Sequence, residues 1–363
     1  HDLVINRSPG TTTHYLSDIN VINDVEILSG AIENSYHSTS SFNLYVGGDW
    51  TNNVGVGGFV PNEGTVIFNG TGNVAITPGE TFYNLTLDKV SSADWLTIYG
   101  DLTVGNDLTI NPGALYSNDN TISVSGNVIV NSGGVLYMEA NSTLEIGDAS
   151  SLNVFGGGTL EVNGESGAYA TVTRSTTGAY GFNVYSGGTM GADWAIFEYM
   201  NGNGVFLTIG SLVDPVLTFN NCIFRNGYAA PSALFAISND ATFTSSNTYF
   251  ENTLGTTGWN VWKNNDDGEV TFVSATGDFA GPDYESDPYN HIHWDGYNPD
   301  LDITNANWTD TNPYVCDMIT VSITVYNNGN VDIPGGTGFY VDLYYNLSSP
   351  PASFETGDQA EYI

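Results

Sequence analysis

The sequence contains very few basic residues. Five Lys and Arg residues stand against 40 Asp and Glu residues in a chain of 363, which gives a formal net charge of −35 at pH 7. So few cations cannot neutralise a phosphate backbone, and we therefore expect neither a nucleic-acid partner nor a basic membrane-surface patch. Because charged residues make up only 12% of the chain, against about 25% in an average protein, missing bases rather than added acids produce the net charge.

Cysteine and long apolar runs are also scarce. The two cysteines, Cys222 and Cys316, fall in segments that we predict to be different domains, and they are too few for a disulfide framework or a thiolate zinc site. A single disulfide between them stays open, although a free cysteine is more often a small buried apolar residue. No stretch approaches the ~18 apolar residues that a spanning helix needs, so we expect no membrane insertion.

The composition that remains is typical of an all-β protein. Hydrophobic residues make up 40% of the chain and aromatic residues 13%, which is enough to bury a sizeable core. There are 43 glycines, and stretches rich in helix-forming residues are missing. The first residue is His1 rather than Met, and lysine is scarce. We therefore expect a processed, exported protein that is extracellular or displayed at the cell surface.

Short strands recur at a regular interval in the middle of the chain. Apolar residues alternate with polar ones inside each strand, and glycine-rich turns separate the strands. Every third strand gives a column that runs through Leu102, Ile122, Leu144 and then Ala170 or Thr171. Three strands per repeat predict a right-handed parallel β-helix over residues 19–297. About 11 coils at ~4.8 Å each would make a rod on the order of 50 Å long.

A longer repeat follows, and it predicts an aromatic column. Phe197, Phe224 and Phe250 recur once per coil, and Phe279 is a weaker fourth member. We expect these rings to stack inside the solenoid and Asn226 and Asn252 to form a ladder at the turn. The preceding strand repeats as Leu217-Thr218-Phe219, Ala241-Thr242-Phe243 and Val270-Thr271-Phe272.

The two ends of the chain differ from this pattern. Residues 1–18, with Leu3-Val4-Ile5 as a strand, are predicted to be an N-terminal cap or an extended assembly segment. From residue 298 the strands lengthen, and an Asn-Gly turn signals antiparallel pairing. Residues 298–363 are therefore predicted to form an incomplete Ig-like β-sandwich, because such a domain usually needs ~100 residues.

Two groups of motifs resemble known families. Residues 298–303 (NPDLDI) and 319–330 (ITVSITVYNNGN) resemble the opening half of a CARDB-type Ig-like module, a cell-adhesion-related domain of exported bacterial proteins. Residues 46–53, 64–72, 82–87 and 100–104 are similar to exported β-helical surface proteins of Bacteroidota-like bacteria. The resemblance implies a protein of the cell exterior with an adhesive role.

Two short segments could hold a metal ion. His291 and His293 lie on one face of a predicted strand near Asp287 and Asp295, which suits a transition metal. The alternative is a structural end of the β-helix, with Trp294 packed against it.

The second segment is the acidic loop at residues 264–269. It offers Asp266, Asp267 and Glu269 to Ca²⁺ but does not match an EF-hand. Ordinary turn chemistry is the alternative explanation of this loop. Apart from Ca²⁺ here, we expect no cofactor.

Other residues suggest carbohydrate chemistry. Trp259 and Trp262 could stack on sugar rings, although aromatic residues also fill the corners of a solenoid. A hydrolase would need a pair of carboxylates, and sequence spacing does not show that the candidates converge. Those candidates are Asp193, Glu198, Glu251 and Asp278.

These observations predict an extracellular structural or adhesive protein without a catalytic centre. Its expected partners are other copies of itself, cell-surface components or glycans. A segment such as Asp2 to Asn6 could complete the Ig-like domain of another copy by strand addition and so build a filament. The residues at this joint would be Leu3, Val4 and Ile5 on one copy and Phe339, Val341 and Leu343 on the other. A carbohydrate-binding or carbohydrate-cleaving β-helix is the alternative function.

Overall fold

The computed structural model describes residues 1–33, 42–227, 233–252 and 258–295. It also describes the backbone of four strands between residues 301 and 362. The chain divides into two units, His1–Gly296 and Tyr297–Ile363.

The first unit is an all-β solenoid built from parallel strands. Strands pair with the third strand before and after them in the chain, so three strands make one turn. The longest sheet has 11 strands and takes one from each turn, which gives about 11 turns. This confirms the predicted parallel solenoid. The right-handed sense stays a prediction that rests on the general preference of parallel crossovers.

Three long sheets run along the solenoid. The first sheet contains β1 (Leu3–Asn6), β4 (Val25–Ser29), β7 (Trp50–Asn52), β10 (Val74–Thr77), β13 (Trp95–Ile98), β16 (Gly113–Tyr116), β19 (Gly134–Met138), β22 (Thr159–Asn163), β25 (Thr189–Asp193) and β28 (Leu212–Asn220). The second contains β11 (Glu80–Phe82), β14 (Leu102–Val104), β17 (Thr121–Val124), β20 (Thr143–Ile146), β23 (Ala170–Arg174), β26 (Ala195–Glu198), β29 (Ile223–Arg225) and β32 (Tyr249–Glu251). The third contains β3 (Ile19–Val21), β6 (Asn43–Val46), β9 (Thr65–Phe68), β12 (Asn84–Leu87), β15 (Leu108–Ile110), β18 (Val128–Val130), β21 (Ser151–Val154), β24 (Tyr180–Val184), β27 (Met200–Leu207), β30 (Ala233–Ile237) and β33 (Trp259–Lys263).

Two three-stranded sheets and one short helix complete this unit. One sheet contains β2 (Thr12–His14), β5 (Ala31–Glu33) and β8 (Phe59–Val60), and the other contains β31 (Phe243–Ser246), β34 (Val270–Val273) and β35 (Ile292–Asp295). A 3₁₀-helix spans Pro282–Tyr284. Strands β1 and β2 of the first coil pair in parallel with β4 and β5 of the second coil, so residues 3–6 and 12–14 are strands of the solenoid.

The period-two pattern of the strands decides which side chains enter the core. In β15 Leu108 and Ile110 are buried, and Thr109 between them faces outward. Burying each such side chain stabilises the fold by about 1.5–3 kcal/mol, but only if the coils above and below cover it.

Side-chain ladders at the corners hold successive coils in register. An Asp24 carboxylate oxygen accepts a hydrogen bond from the backbone N–H of Asp49 at 2.8 Å. An Asp49 carboxylate oxygen accepts one from the N–H of Ala75 at 2.8 Å. Asn73, just before β10, accepts a hydrogen bond from the N–H of Trp95 at 3.3 Å in the same way. Each carboxylate or amide thus satisfies a backbone N–H of the next coil.

The predicted phenylalanine column is confirmed over its first three members. The ring of Phe224 stacks on Phe197 with centroids 5.2 Å apart and on Phe250 at 5.4 Å. The prediction of Phe279 as the fourth member is wrong, because Phe279 packs against Tyr284. The next rings that Phe250 contacts are those of Phe272 and Trp294.

Other details of the predicted repeats differ from the structure. An amide ladder that the sequence did not predict joins Asn247 to Asn221 at 3.1 Å, and the expected ladder of Asn226 and Asn252 stays a prediction. Leu102, Ile122 and Leu144 align as predicted, but Leu144 then pairs with Val172 rather than Ala170 or Thr171. The turn from Asn163 to Ala170, which leads into β23, is longer than the corresponding turn from Met138 to Thr143 in the coil before, so the register shifts.

The second unit contains two antiparallel strand pairs among its described residues. β36 (Leu301–Trp308) pairs with β37 (Val321–Asn327), and β38 (Tyr340–Leu343) pairs with β39 (Gln359–Tyr362). Antiparallel pairing agrees with the sequence pattern, while the Ig-like sandwich stays a prediction.

Replacing Phe224 by alanine tests the aromatic column. Phe224 is fully buried between two stacked rings, so the substitution removes packing that the coils on both sides share. We expect the free energy of unfolding to fall by about 3–5 kcal/mol, measured from urea denaturation followed by circular dichroism.

The matched control is Phe155→Ala. Phe155 is 38% exposed and stacks on Tyr185 outside the core at 4.9 Å. Its loss should cost about 1 kcal/mol or less. Equal losses in both variants would contradict an inward column that holds the coils together.

Candidate functional site

The residues predicted to form a subunit joint lie in both units. In β1 the side chain of Ile5 is buried, whereas Val4 is 49% exposed. Val341 and Leu343 lie in β38, of which only the backbone is described, and Phe339 lies outside the described residues. The structure therefore places Val4, but not Ile5, where a partner could contact its side chain.

The two tryptophans predicted to bind sugar lie on β33, the last strand of the third sheet. Trp259 is 39% exposed, and Trp262 is partly exposed. Between them Asn260 is buried and donates hydrogen bonds to the carbonyls of Phe279 and Gly281, both at 2.9 Å. Hydrogen bonds from the buried Asn260 thus hold this strand, while both of its tryptophans are partly exposed.

The acidic loop after β33 wraps around a lysine. The side chain of Lys263 is fully buried. Its ammonium group donates to Oδ1 of Asn265 and to the carbonyl of Asp267, each at 2.7 Å. Burial lowers the pKa of Lys263, and carboxylates nearby, Asp287 first among them, oppose this shift. Two oxygens of this loop, the Asn265 side-chain oxygen and the Asp267 carbonyl oxygen, therefore bind a cation that the chain itself supplies.

Glu269, the third residue of the expected Ca²⁺ site, contacts two histidines instead. Its carboxylate oxygens lie 2.7 Å from Nδ1 of His291 and 2.6 Å from Nε2 of His293. These hydrogen bonds lower the pKa of Glu269. The two imidazoles do share one face, as the sequence predicted. Within the described ranges, no three His, Cys, Asp or Glu side chains form a group that could hold a metal ion.

A second carboxyl group lies beside the same histidines. Trp294 donates its indole N–H to Glu285 at 2.6 Å, and its ring stacks on Phe272 at 4.6 Å. Burial raises the pKa of Glu285 to about 7, with the hydrogen bond from Trp294 opposing the shift. We call Glu269, Glu285, His291 and His293 the terminal cluster. The packing of Trp294 supports the structural alternative for the His-Ile-His segment.

Two of the four carboxylates considered for hydrolysis, Glu198 and Asp193, bind neighbouring side chains. Glu198 forms an ion pair with Arg225 at 2.7 Å and accepts from Thr173 at 2.9 Å. Asp193 accepts a hydrogen bond from Asn221, which lies in the next coil. Glu251 lies one coil beyond Arg225 in the same column, and Asp278 is exposed in the loop before the 3₁₀-helix.

Cys222 is a free, fully buried thiol. Burial raises the pKa of its thiol group, which keeps the thiol protonated and unreactive. Cys316 lies outside the described residues.

A surface feature that the sequence analysis missed lies on the outer face of the first sheet. Tyr116 and Tyr137 are register partners in neighbouring coils, and their rings stack with centroids 4.5 Å apart. The partly exposed Trp95 meets the edge of Tyr116 at 6.0 Å. Aligning β13, β16 and β19 coil by coil would have revealed this outward column.

The aromatic column stops at a recess. The register partner of Tyr137 in the next coil is Glu161, and that of Glu161 is Gly191. A side chain at Gly191 would collide with Asp214 and Leu217, because β28 bulges over this position. Burial and the nearby Asp214 raise the pKa of Glu161.

The recess beside Tyr137 has a volume of about 420 Å³. Burial, then the neighbouring Glu161 and Tyr116, raise the pKa of the Tyr137 hydroxyl to about 12. No Lys or Arg contributes to its described lining. The polar groups of that lining are those of Asn118, Asp119, Glu139, Glu161, Asn163 and Glu165.

Comparison of the chain with protein-family models, with curated proteins and with solved structures gave no match. Any assignment of function therefore rests on the composition and geometry of the chain itself.

The terminal cluster predicts a pH effect on stability. Glu285 binds its proton more tightly in the folded protein, with a pKa of about 7 against an ordinary value of 4.5. Its contribution is therefore complete below about pH 4.5 and is lost as the pH rises through 7. Glu285→Gln keeps an acceptor for Trp294 and cannot ionise. Above pH 7 the variant should melt roughly 2–4 °C higher than the native protein, the shift that about 1 kcal/mol produces in domains of 150–250 residues.

The measurement is a series of thermal melts from pH 4 to 8. Asp278→Asn, in an exposed position of the preceding loop, is the control for the general effect of removing one negative charge. A difference between Glu285→Gln and the native protein that does not change with pH would contradict the assignment.

Proposed function

We propose that this chain is a structural and adhesive protein of the cell exterior, in which the solenoid acts as a stiff scaffold. The observation that supports this proposal most is the unbroken stacking of coils. The first and third sheets continue from strand to strand over 10 and 11 members without a gap. A load on such a unit is shared by hydrogen bonds and buried columns in every coil, as a spacer requires.

The extracellular location rests on composition. Loop-rich β structure and five basic residues in 363 are typical of exported proteins rather than of proteins that bind nucleic acid. The part of the chain that the structure describes has no helix of the length and apolar character needed to cross a membrane. The CARDB-type resemblance of residues 298–330 supports an adhesive role for the second unit. We assign the chain no catalytic centre.

A more specific form of this proposal is that copies of the chain join end to end into filaments. Leu3 donates its backbone N–H to Asp24 at 2.8 Å within the first sheet. Because N–H groups alternate in direction along a strand, the N–H of Val4 points away from β4. An extended strand of another copy could add along this edge while β1 keeps its own pairing. The joint would then be an edge-to-edge contact rather than an exchange of strands.

Val4→Pro tests the joint. Proline removes the N–H that faces away from β4 and leaves the bond from Leu3 in place, which edge strands tolerate. We expect the native chain to form end-to-end filaments with rising concentration and the variant to remain as single particles. Negative-stain electron microscopy over a wide concentration series is the measurement.

Val4→Thr is the matched control, since it changes the side chain and keeps the N–H. It should assemble like the native chain, and all three proteins should have the same melting temperature to within about 2 °C. Single particles of the native chain at every concentration would overturn the filament, as would filaments of Val4→Pro.

A further inference from the structure

The column of Tyr116 and Tyr137 on the outer face of the first sheet ends at the recess beside Tyr137, which we call the slot. Tyr116 covers one face of the Tyr137 ring, because the two rings are 4.5 Å apart and inclined by 13°. The other face looks along the solenoid towards the next coil. There the column position belongs to Glu161, whose side chain is narrower than an aromatic ring. A flat ring of a ligand could therefore stack on Tyr137 and continue the column by one member.

The groups around this slot suit hydroxyl groups. The carboxylates of Glu139 and Glu161 accept hydrogen bonds, and the amide of Asn163 can both donate and accept. A pyranose ring presents apolar C–H groups on its face and hydroxyl groups at its rim. Tyr137 would pack against the face of the sugar ring, and the polar side chains would form hydrogen bonds with the hydroxyl groups at its rim.

The negative charge around the slot restricts the class of saccharide that could bind there. Asp119, Glu139, Glu161 and Glu165 all lie around it, and the described lining contains no basic residue. A uronic acid or a sulfated sugar would be repelled.

We propose that the recess formed by Tyr137, Glu139, Glu161 and Asn163 binds one ring of a neutral oligosaccharide. This inference supplies a ligand class for the adhesive role proposed above and rests on that role. It is independent of the filament joint, which lies in the first coil. Loss of sugar binding with intact filaments would remove this inference alone, and loss of filaments with intact binding would leave it standing.

The experiment uses the full 363-residue chain and a panel of immobilised neutral tetra- to hexasaccharides built from glucose, mannose, galactose or xylose. Members of the panel that bind are then titrated in solution by calorimetry. We expect at least one of them to bind the native chain. Tyr137→Ala should weaken its association constant about tenfold, because the stacking surface is lost.

Two further variants keep the test independent of folding. Glu161→Tyr extends the aromatic column into the slot, so it should abolish binding without lowering the melting temperature. Tyr185→Ala removes a ring that is 37% exposed and stacked on Phe155 elsewhere on the solenoid, so it should bind like the native chain.

Three results would overturn the inference. The first is that no member of the panel binds at millimolar concentration. The second is that Tyr137→Ala and Glu161→Tyr bind as well as the native chain. The third is that the slot binds tetramethylammonium or spermidine rather than sugars, in a manner that about 0.5 M salt abolishes, because an acidic cluster would then act as a cation site.

Discussion

The stacking of each coil on the next is the constraint on which the rest of the solenoid depends. A single coil cannot cover its own inward side chains, so burial and hydrogen bonding both have to be satisfied between coils. The Phe197–Phe224–Phe250 column meets this requirement inside. The hydrogen bonds that Asp24, Asp49 and Asn73 accept from the next coil meet it at a corner. Because register is fixed from inside, outward residues also fall into columns, as Tyr116 and Tyr137 show.

This constraint explains how far the sequence predicted the fold. Alternation identified inward residues correctly, and coils of similar length, 20 and 22 residues, placed Leu102, Ile122 and Leu144 in one column. Prediction of the register was wrong where turns change length. Phe243 pairs with Val270, two residues before the expected Phe272. A shift of two residues keeps the same face inward, so the core pattern cannot reveal it. Only the contacts of the turn settle the register.

Candidate sites were predicted less well, because their partners come from other coils. The acidic loop looked like a cation site by its local composition, yet Lys263 also reaches the carbonyl of Asn239, 24 residues earlier. Glu269 meets His291 and His293 at separations of 22 and 24 residues. In a solenoid the nearest chemical neighbours are one coil away. A cluster that is local in sequence is therefore weak evidence for a site.

The few basic residues show how the charge imbalance shapes the surface. Lys89 and Lys263 are buried. Arg225 is paired with Glu198, and Arg174 donates to the carbonyls of Thr177 and Gly178. Four of the five cations are thus taken up within the fold, and the carboxylates around the solenoid have few cations beside them. Copies lying side by side would repel each other, which favours contacts through the ends over lateral packing. The negative potential of these carboxylates also repels polyanions, so a ligand that binds along the side of the solenoid has to be neutral or cationic. At the recess beside Tyr137 an aromatic ring face lies among polar groups that can bind hydroxyl groups, and this combination favours a neutral ligand over a cationic one.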